Sequence, residues 1–332
     1  MNATLNKKRV VSGMRPTGKL HLGHYHGVLS NWMELQDDHE CFFFAADWHA
    51  LTTEYANPGF VRESIDDLFL DWLSVGIDPE KCVMFRQSTI LEHAELHLLL
   101  SMLTPVPWLE RNPTYKDQLE ELKEKELNTY GFLGYPVLQA ADIIIYKAHA
   151  VPIGLDQVPH LELTREIARR FNFLYHKELF PEPEALLTKT PKLLGTDGRK
   201  MSKSYGNAIY LSDSRDDVKQ KVSTMFTDPQ RLRRNDPGNP DVCAIFTMHK
   251  LYSPLSEVEE IDRECRKAGI GCVDCKKRLI ERLNDALEPI REKRAYYAGE
   301  KERVKQIILS ATEKAKGIAQ NTMVEVRDAV GI

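Results

Sequence analysis

The first half of the chain alternates short apolar runs with amphipathic stretches. Three runs rich in β-branched, aromatic or cysteine residues, at 9–12, 41–46 and 82–85, are bounded by turn or charged residues, a pattern typical of strands. The stretches that follow His24 and Gly59 have apolar residues at helical spacing. This βαβαβ pattern predicts an open, mostly parallel sheet with right-handed crossovers and with ligands at the carboxyl ends of its strands.

Beyond residue 105 the pattern becomes helical. It predicts a charged helix over 115–126, a helix that begins with Pro136 and continues through Tyr146, and another helix over 161–171. From residue 213 to the end, helical spacing is interrupted by a polar loop at 228–241. We therefore predict an α/β fold, in which a Rossmann-like parallel sheet with flanking helices is followed by a helical C-terminal domain.

Composition and length add limits to this picture. The chain has 332 residues, of which 42% are hydrophobic and 28% are charged, so it is typical of folded proteins with two or three domains and not of disordered or disulfide-stapled chains. It has no run of about 18 apolar residues, the length of a membrane span. The basic run at 7–9 is not followed by the apolar segment of a signal peptide. We expect a cytoplasmic protein.

Charge is distributed unevenly along the chain. The net charge is -4, which argues against general coating of nucleic acid. The segment 191–280, however, has 17 Lys and Arg residues against 13 Asp and Glu residues. If a polyanion binds, this segment is where we expect it; an ordinary solvated surface explains the charge equally well.

A glycine-rich segment, 12–27, follows the first predicted strand. Gly13 and Gly18 allow the backbone to approach a ligand, and the helix that begins near residue 20 directs its N-terminal amides at an anion. His21 and His24 lie three residues apart, on one face of that helix, where both imidazoles can donate to a phosphate. The alternative is a turn with surface histidines. Neither the dinucleotide-binding pattern nor the P-loop pattern is present.

A second polar segment, 195–207, has lysines three residues apart at Lys200 and Lys203 and hydroxyls at Ser202 and Ser204. These groups can follow the negative charge that develops on a leaving pyrophosphate, so that their contacts strengthen in the transition state. Taken by itself, such a loop is usually only solvated.

Together, the two segments resemble a known family. His21-Leu-Gly-His24 and Lys200-Met-Ser-Lys-Ser204 are similar to the two hallmark motifs of class I aminoacyl-tRNA synthetases. The segments 13–18, 135–142, 154–157 and 160–165 resemble the tryptophanyl-tRNA synthetases, and the similarity extends over essentially the whole chain. The resemblance implies activation of tryptophan by ATP and Mg²⁺ to an adenylate, followed by transfer to tRNA(Trp).

The resemblance also implies roles for individual residues. Those expected to act in catalysis are His21, His24, Lys200 and Lys203. Those expected to bind ATP are Arg15, Pro16, Thr17, Gly23, His24, Gly154, Leu155, Asp156, Lys200, Met201, Ser202, Lys203 and Ser204. Those expected to bind tryptophan are Tyr135, Gln139, Asp142 and Gln157.

Asp142 is the residue expected to select the amino acid, because a carboxylate accepts a hydrogen bond from the indole N–H. Leu155 and Gln139 stand where relatives often have Glu and Met. Asp47 and His49, at the end of the second predicted strand, have either a pocket role or a packing role. The alternatives are a tyrosyl-tRNA synthetase, an adenylate-forming nucleotidyltransferase that does not use tRNA, and a non-catalytic RNA-binding relative.

Four of the six cysteines cluster late in the chain. Cys243, Cys265, Cys272 and Cys275 have 21, 6 and 2 residues between them, which indicates a metal site in a reducing compartment. A subset of tryptophanyl-tRNA synthetases has a 4Fe-4S cluster on a similar pattern, in which the first gap is one residue longer. We expect an iron-sulfur cluster, with zinc as the alternative.

The expected domains complete the interpretation. Residues 1–210 form the catalytic domain, with a helical insertion at about 105–180 at the interface of a homodimer. Residues 211–332 form an anticodon-binding domain with the four-cysteine site, whose last helix packs back on the catalytic domain. The basic residues expected to contact tRNA are Arg231, Arg233, Arg234, Lys276, Lys277 and Arg278.

Overall fold

A computed structural model of the chain describes residues 7–121, 127–187 and 193–332. The described residues fall into two compact units. The first unit lies within Met1–Gly18, Val28–Lys189 and Glu300–Ile332, and the second lies within Lys19–Gly27 and Thr190–Gly299. These units are defined by contacts, whereas the predicted domains are defined by function, so the division at residue 210 stays a prediction.

The first unit is built on one sheet. Among the described residues, its five strands are β1 Arg9–Met14, β2 Glu40–Ala45, β3 Cys82–Arg86, β4 Ala150–Ile153 and β5 Glu184–Leu187. All neighbouring strands are parallel, in the order β3-β2-β1-β4-β5. The predicted parallel sheet is confirmed. The order reverses direction between β1 and β4, and open parallel sheets bind ligands at the carboxyl ends of strands at such a position.

Helices occupy most of the rest of the described chain. They are α1 Leu22–His24, α2 Ser30–Asp38, α3 Asp47–Glu54, α4 Pro58–Val75, α5 Glu92–Leu103, α6 Val106–Glu110, α7 Pro113–Glu121, α8 Tyr130–Ile144, α9 Val158–Leu174, α10 Arg215–Thr224, α11 Ala244–Tyr252, α12 Leu255–Arg266, α13 Cys272–Gly299 and α14 Lys301–Val330. A π-helical turn covers Tyr25–Leu29, and 3₁₀ turns cover Gln87–Thr89, Leu155–Gln157 and Pro240–Val242. No described helix has the length and apolar character needed to cross a membrane.

The central strands are buried on both faces. Phe42 and Phe44 of β2 belong to the core that α5, α8, α9 and α14 cover, whereas Phe43 stacks on Trp32 at a centroid distance of 4.1 Å. This alternation follows from the two-residue period of a strand. A β-strand buried on both faces reads as a continuous apolar run, as 41–46 does.

The C-terminal helix is part of the first unit. Ala315, Ala319 and Met323 of α14 are fully buried in the core cluster of the sheet. Arg327 donates from Nε and an Nη to the two carboxylate oxygens of Glu95, at 2.7 and 2.5 Å. This two-point pairing fixes the orientation of the end of α14 against α5.

Helix α8 differs from its prediction. It begins at Tyr130, where the Thr129 hydroxyl caps the Phe132 amide at 3.2 Å, so Pro136 lies inside the helix and not in its first turn. Because the Thr129 hydroxyl caps the first turn, the helix begins before the proline and not at it. The predicted charged helix at 115–126 is found as α7 up to residue 121, and residues 122–126 lie outside the described part.

The second unit is helical apart from its loops. Helices α10 and α11 pack on α13, and α11 packs on α12. Helix α10 begins with a capping box in which Ser214 and Asp217 satisfy each other's backbone amides. The polar loop predicted at 228–241 is present, with a 3₁₀ turn at its end. The predicted fold class, including a helical C-terminal region, is confirmed.

Candidate active site

Two loops of the first unit lie at the point where the strand order reverses. Arg15, Pro16 and Thr17 follow β1, and the 3₁₀ turn Leu155–Gln157 follows β4 after Gly154. The Thr17 amide donates to the Arg15 carbonyl at 2.9 Å, which tightens the first turn. Open parallel sheets bind ligands at such a position. These loops contain the predicted ATP-binding residues of the first unit.

In the second unit, His21 and His24 form a compact pair. The His21 Nδ1 accepts from the Gly23 amide at 3.0 Å, and the His24 Nδ1 accepts from the His21 amide at 3.2 Å. The ring centroids are 3.8 Å apart. A side chain at position 23 would place its Cβ 2.8 Å from the His21 ring, so the ring would have to move to accept it. Glycine at this position therefore favours the compact pair.

The electrostatic setting keeps both imidazoles neutral at pH 7. Burial and the ammonium of Lys203 lower the pKa of His21 from 6.5 to about 4. Burial, His21 and Lys203 hold the pKa of His24 well below 6.5. Because each Nδ1 accepts a backbone amide, the single proton of each neutral ring is on Nε2. Both rings therefore present an N–H donor, the group that the sequence predicts for contact with a phosphate.

The loop that contains Lys200 and Lys203 is held at its base by Asn207. The buried Asn207 side chain accepts from the Ser202 amide at 2.8 Å and donates to Asp197 at 2.7 Å and to the Lys200 carbonyl at 3.2 Å. Lys200 and Ser204 are exposed, and Lys203 is half-buried. The base of the loop is thus fixed, while its charged groups remain accessible.

The structure brings these two motifs together. His21 pairs with Tyr210 in an antiparallel bridge, and the Leu22 amide donates to the Ile209 carbonyl at 3.0 Å. Met201, which lies within the lysine loop, is buried. Its Cβ is 3.9 Å from the point that a Cβ on residue 23 would occupy. Residues about 180 positions apart in the sequence therefore lie side by side, which is the arrangement that the sequence predicts.

Asp142, one of the predicted tryptophan-binding residues, lies in the first unit. The Asp142 carboxylate is fully buried and is contacted by three side chains. His49 Nε2 lies 2.7 Å from Oδ2, His93 Nδ1 lies 2.6 Å from Oδ1, and Gln87 Nε2 lies 2.8 Å from both oxygens. A buried carboxylate with four hydrogen-bond contacts is fixed in position and orientation.

These contacts determine the charge of Asp142. Burial alone raises the pKa of a carboxyl group, but the hydrogen bonds from His49 and His93 outweigh it and hold the pKa of Asp142 at about 2, below its usual 3.8. Asp142 is therefore ionised at pH 7 and acts only as an acceptor. That is the state required to recognise an N–H donor.

The other predicted tryptophan residues have different settings. The Tyr135 hydroxyl is 2.7 Å from Nε2 of the buried His160, and burial raises the pKa of Tyr135. Gln139 lies on the same helix as Asp142, three residues before it, and is half-buried. Gln157 donates to Asp156 at 3.1 Å. Leu155 is largely exposed, so the burial of its side chain does not indicate a role.

Sequence reasoning left the role of His49 undecided and did not single out Gln87, His93 or His160. His49 follows β2, and Gln87 and His93 follow β3, at the edge where parallel sheets bind ligands. That rule was the available signal. Asp47, in contrast, accepts from the Ser88 amide at 3.0 Å and from Arg86 Nε at 2.6 Å, contacts that favour the packing role among the two alternatives.

The four clustered cysteines line one cavity. Cys243, Cys265, Cys272 and Cys275 surround it, together with the apolar side chains of Ile245, Phe246, Ile261 and Ile270. Burial and the three other thiols raise the pKa of Cys275 to about 12. Nη1 of Arg231 lies 3.7 Å from the Cys265 sulfur. In the described part of the chain, no three His, Cys, Asp or Glu side chains are grouped to hold a metal ion, so the predicted metal site is not shown.

The basic residues predicted to contact tRNA divide into two sets. Three have partners within the protein: Arg231 donates to the Arg234 and Ile270 carbonyls, Lys276 to the Ser223 carbonyl, and Arg278 to Glu260. Arg233, Arg234 and Lys277 are exposed, and the Lys277 ammonium lies 3.7 Å from an Asp274 carboxylate oxygen. These three are therefore the predicted tRNA contacts that are most accessible to solvent or to a polyanion.

Known proteins resemble this chain over its full length. The family model described as "tRNA synthetases class I (W and Y)" matches residues 4–288. The tryptophan–tRNA ligase of Thermotoga maritima is 54% identical over 98% of this chain and 99% of its own length, and that of Aquifex aeolicus is 48% identical over 98% and 100%. Campylobacter jejuni tryptophanyl-tRNA synthetase, solved with ADP and tryptophan, superposes with a TM-score of 0.89 at 34% identity over 98% of this chain and 100% of that one. The chain belongs to the tryptophan–tRNA ligases of the class I tRNA synthetase family.

Proposed function

We propose that the chain activates L-tryptophan with ATP to tryptophanyl-adenylate and pyrophosphate, and then transfers tryptophan to tRNA(Trp). The observation that carries this proposal is the meeting of the His21–His24 pair with the loop of Lys200 and Lys203. Two neutral imidazole donors and two ammonium groups suit a polyphosphate. Since tRNA is charged where mRNA is translated, we also propose a cytoplasmic location.

The first step is attack of the tryptophan carboxylate on the α-phosphate, where both partners are anionic. Positioning and neutralisation of charge therefore supply most of the acceleration. We assign the Nε2–H groups of His21 and His24 to the phosphates, and Lys200 and Lys203 to the leaving pyrophosphate. Mg²⁺ would neutralise further phosphate charge. The ammonium contacts gain strength as charge moves to the leaving group, so they lower the barrier more than they tighten binding.

The remaining ATP contacts are assigned to residues that match the family's motifs. They are Arg15, Pro16, Thr17, Gly23, Gly154, Leu155, Asp156, Met201, Ser202 and Ser204. The position of Arg15–Thr17 and Gly154–Asp156 at the reversal of strand order supports this assignment. Glycine at position 154 suits this turn, because a Cβ there would lie 2.6 Å from an Asp156 carboxylate oxygen.

For the amino acid, we assign Asp142 to the indole N–H, Tyr135 and Gln157 to the ammonium group, and Gln139 to the pocket wall. The low pKa of Asp142 supports the first of these roles, because a permanent carboxylate accepts and cannot donate. A phenol hydroxyl can also donate to a carboxylate, so tyrosine is the competing substrate.

We propose that the cavity lined by the four thiols holds a 4Fe-4S cluster. Three observations support this: the four thiols line one space with apolar walls, a guanidinium lies near the Cys265 sulfur, and backbone amides of residues 245 and 246 approach Cys243. Cys243, Cys265, Cys272 and Cys275 would be the ligands. A cluster held there would fasten the start of α11, the end of α12 and the start of α13 to one another. Tetrathiolate zinc is the alternative.

We propose tRNA binding through the basic residues near this site, with residues 211–332 as the anticodon-binding region. Arg233, Arg234 and Lys277 are exposed and suited to phosphates. Arg231, Lys276 and Arg278 brace the surface through internal contacts and would shape it. The second unit would then serve both ATP and tRNA.

We also propose a homodimer. Leu98 and Met102 lie one turn apart on α5 and are 55% and 73% exposed, and Phe173 at the end of α9 is 76% exposed. Large apolar groups at this exposure are typical of an interface, and these lie within the predicted insertion or next to it. Sedimentation of a Leu98→Asp, Met102→Asp variant should give half the mass of the native protein; an unchanged mass would exclude this face.

ATP–pyrophosphate exchange with each of the twenty amino acids tests the function. We expect exchange with tryptophan at a rate at least about a hundredfold above that with tyrosine. Exchange driven by tyrosine alone would favour the competing substrate, and no exchange with any amino acid would overturn the proposal. Iron analysis and the absorption spectrum of anaerobically purified protein decide between a 4Fe-4S cluster and zinc.

A further inference from the structure

Every acceptor position of Asp142 is already in use in the structure. An ionised carboxylate has about four lone-pair directions, two on each oxygen. Oδ1 is contacted by His93 and Gln87, and Oδ2 is contacted by His49 and Gln87, all within 2.6–2.8 Å. A substrate N–H therefore cannot be added to this carboxylate. It has to replace one of the donors that are present.

The three donors are anchored to different degrees. The Gln87 carbonyl oxygen accepts from the Trp48 amide at 3.1 Å, and the second ring nitrogen of His93 is 2.7 Å from the Tyr146 hydroxyl. Both side chains are fully buried. For the second nitrogen of His49, the described residues provide no such hydrogen bond, and the His49 side chain is 10% exposed. His49 is the donor that can leave at the lowest cost.

His49 also lies beside another residue of the predicted pocket. Its ring lies edge-on to Tyr135 at a centroid distance of 6.5 Å, on the side of Asp142 where the proposed ammonium ligand Tyr135 is found. A tryptophan bound by its ammonium group at Tyr135 would therefore approach Asp142 from the side of His49. The anchoring and the position lead to the same residue.

We propose that His49 holds the acceptor position on Oδ2 of Asp142 that the indole N–H takes, so that recognition of tryptophan is an exchange of one N–H donor for another. The inference depends on the proposed function, because it takes Asp142 as the indole acceptor. One N–H···O hydrogen bond is broken and one is formed, while Asp142 stays ionised. An amino acid without such an N–H cannot complete the exchange, which makes His49 a specificity-determining residue.

The exchange has a measurable signature. The perturbation is His49→Phe, which retains an aromatic side chain and removes the N–H. The probes are L-tryptophan and its analogue in which sulfur replaces the ring N–H, each titrated by calorimetry. In the native protein, the free energy that tryptophan gains from its hydrogen bond to Asp142 is partly offset by the loss of the His49 hydrogen bond. In His49→Phe there is no such loss. The dissociation constant of the sulfur analogue divided by that of tryptophan should therefore be at least about tenfold higher in the variant, which corresponds to one hydrogen bond to a charged acceptor.

A matched control is available on α5. His97 interacts electrostatically with Asp142, but no hydrogen bond joins the two in the described part of the chain. His97→Phe should therefore leave the ratio within about twofold of the native value. A rise in both variants would show that any change of histidine in this region acts through packing, which would overturn the proposal.

A second measurement uses the native protein and so does not depend on the folding of a variant. With ¹⁵N-labelled histidine, the Nε2 signal of His49 should shift on addition of tryptophan and stay in place with the sulfur analogue. An unchanged signal with tryptophan would overturn the proposal, because it would mean that Gln87 or His93 is the donor displaced.

The outcomes separate this inference from the function on which it rests. If Asp142→Asn binds tryptophan as the native protein does, the assignment of Asp142 fails and the inference fails with it. If Asp142→Asn loses tryptophan binding while His49→Phe leaves the ratio unchanged, only the exchange at His49 is overturned.

Discussion

Replacement of Asp142 by Asn tests how much a fully satisfied buried carboxylate contributes to stability. The pKa of Asp142 is about 2 in the folded chain, compared with 3.8 for an exposed aspartate. This difference between the two pKa values corresponds to a contribution of about 2 kcal/mol to the free energy of unfolding at neutral pH. Because the group is fully buried, solvent screening does not reduce this figure.

The substitution also removes an acceptor. The introduced asparagine would have one oxygen and one NH₂ group where Asp142 has two accepting oxygens, so at least one of the donors from His49, Gln87 and His93 would face another donor. The loss of one hydrogen bond to a charged group costs about 1.5–3 kcal/mol. The lost hydrogen bond and the lowered pKa of Asp142 reflect some of the same contacts, so the two figures do not add in full. We expect Asp142→Asn to lower the free energy of unfolding by about 2–4 kcal/mol.

Urea unfolding at pH 7, followed by circular dichroism, measures the difference. The contribution of Asp142 to the free energy of unfolding is complete above pH 3.8 and is lost as the pH falls through about 2. The difference in free energy of unfolding between the native protein and the variant should therefore decrease over that range. Asp37→Asn is the control. The Asp37 carboxylate is exposed and accepts from the Lys81 ammonium at 2.6 Å, whereas Lys7 donates to the Asp37 backbone carbonyl. The urea midpoint of this variant should therefore barely differ from that of the native protein. Equal stability of Asp142→Asn and native protein at pH 7 would refute the reasoning.

Three further predictions concern catalysis and tRNA. Lys203→Ala should slow pyrophosphate exchange by about a hundredfold or more and change the tryptophan dissociation constant by less than about threefold, since the contact belongs to the transition state; an unchanged rate would exclude Lys203 from the chemistry. Because the pKa of His21 is about 4, exchange should show no titration near pH 6.5, and an inflection there that His21→Asn removes would contradict the neutral pair. Replacement of Lys276, Lys277 and Arg278 by Ala should weaken tRNA charging and flatten its salt dependence without slowing exchange, whereas equal loss of both activities would reject a tRNA role for these cations.

The strands that the sequence predicts are those with a strong local signal. Strands β1, β2 and β3 are apolar runs buried in the centre of the sheet or next to it. Strands β4 and β5 were missed, because β4 is four residues long with Pro152 inside it and β5 is a partly exposed edge strand. Short strands of this kind are stabilised by their neighbours and not by their own composition.

The same distinction applies to the candidate site. The two histidines and the two lysines were predictable because each pair lies within a short segment whose residues match a known motif. The partners of Asp142 come from α3, from the 3₁₀ turn after β3 and from α5, each contributing one side chain with no motif around it. Contacts between single residues distant in sequence become visible only when the fold is known.

The surroundings of Asp142 also explain why a charge can be kept in the centre of a protein. An isolated buried carboxylate would take up a proton, because transfer from water into the interior costs more than neutralisation does. At Asp142, two imidazoles and a carboxamide replace the lost water, and burial is outweighed. The arrangement makes the carboxylate available at any physiological pH, but it leaves no acceptor direction unused. Such a site binds a substrate N–H only in place of one of its own donors. Selectivity therefore depends on the difference in free energy between the hydrogen bond that forms and the one that breaks, and not on the strength of one hydrogen bond.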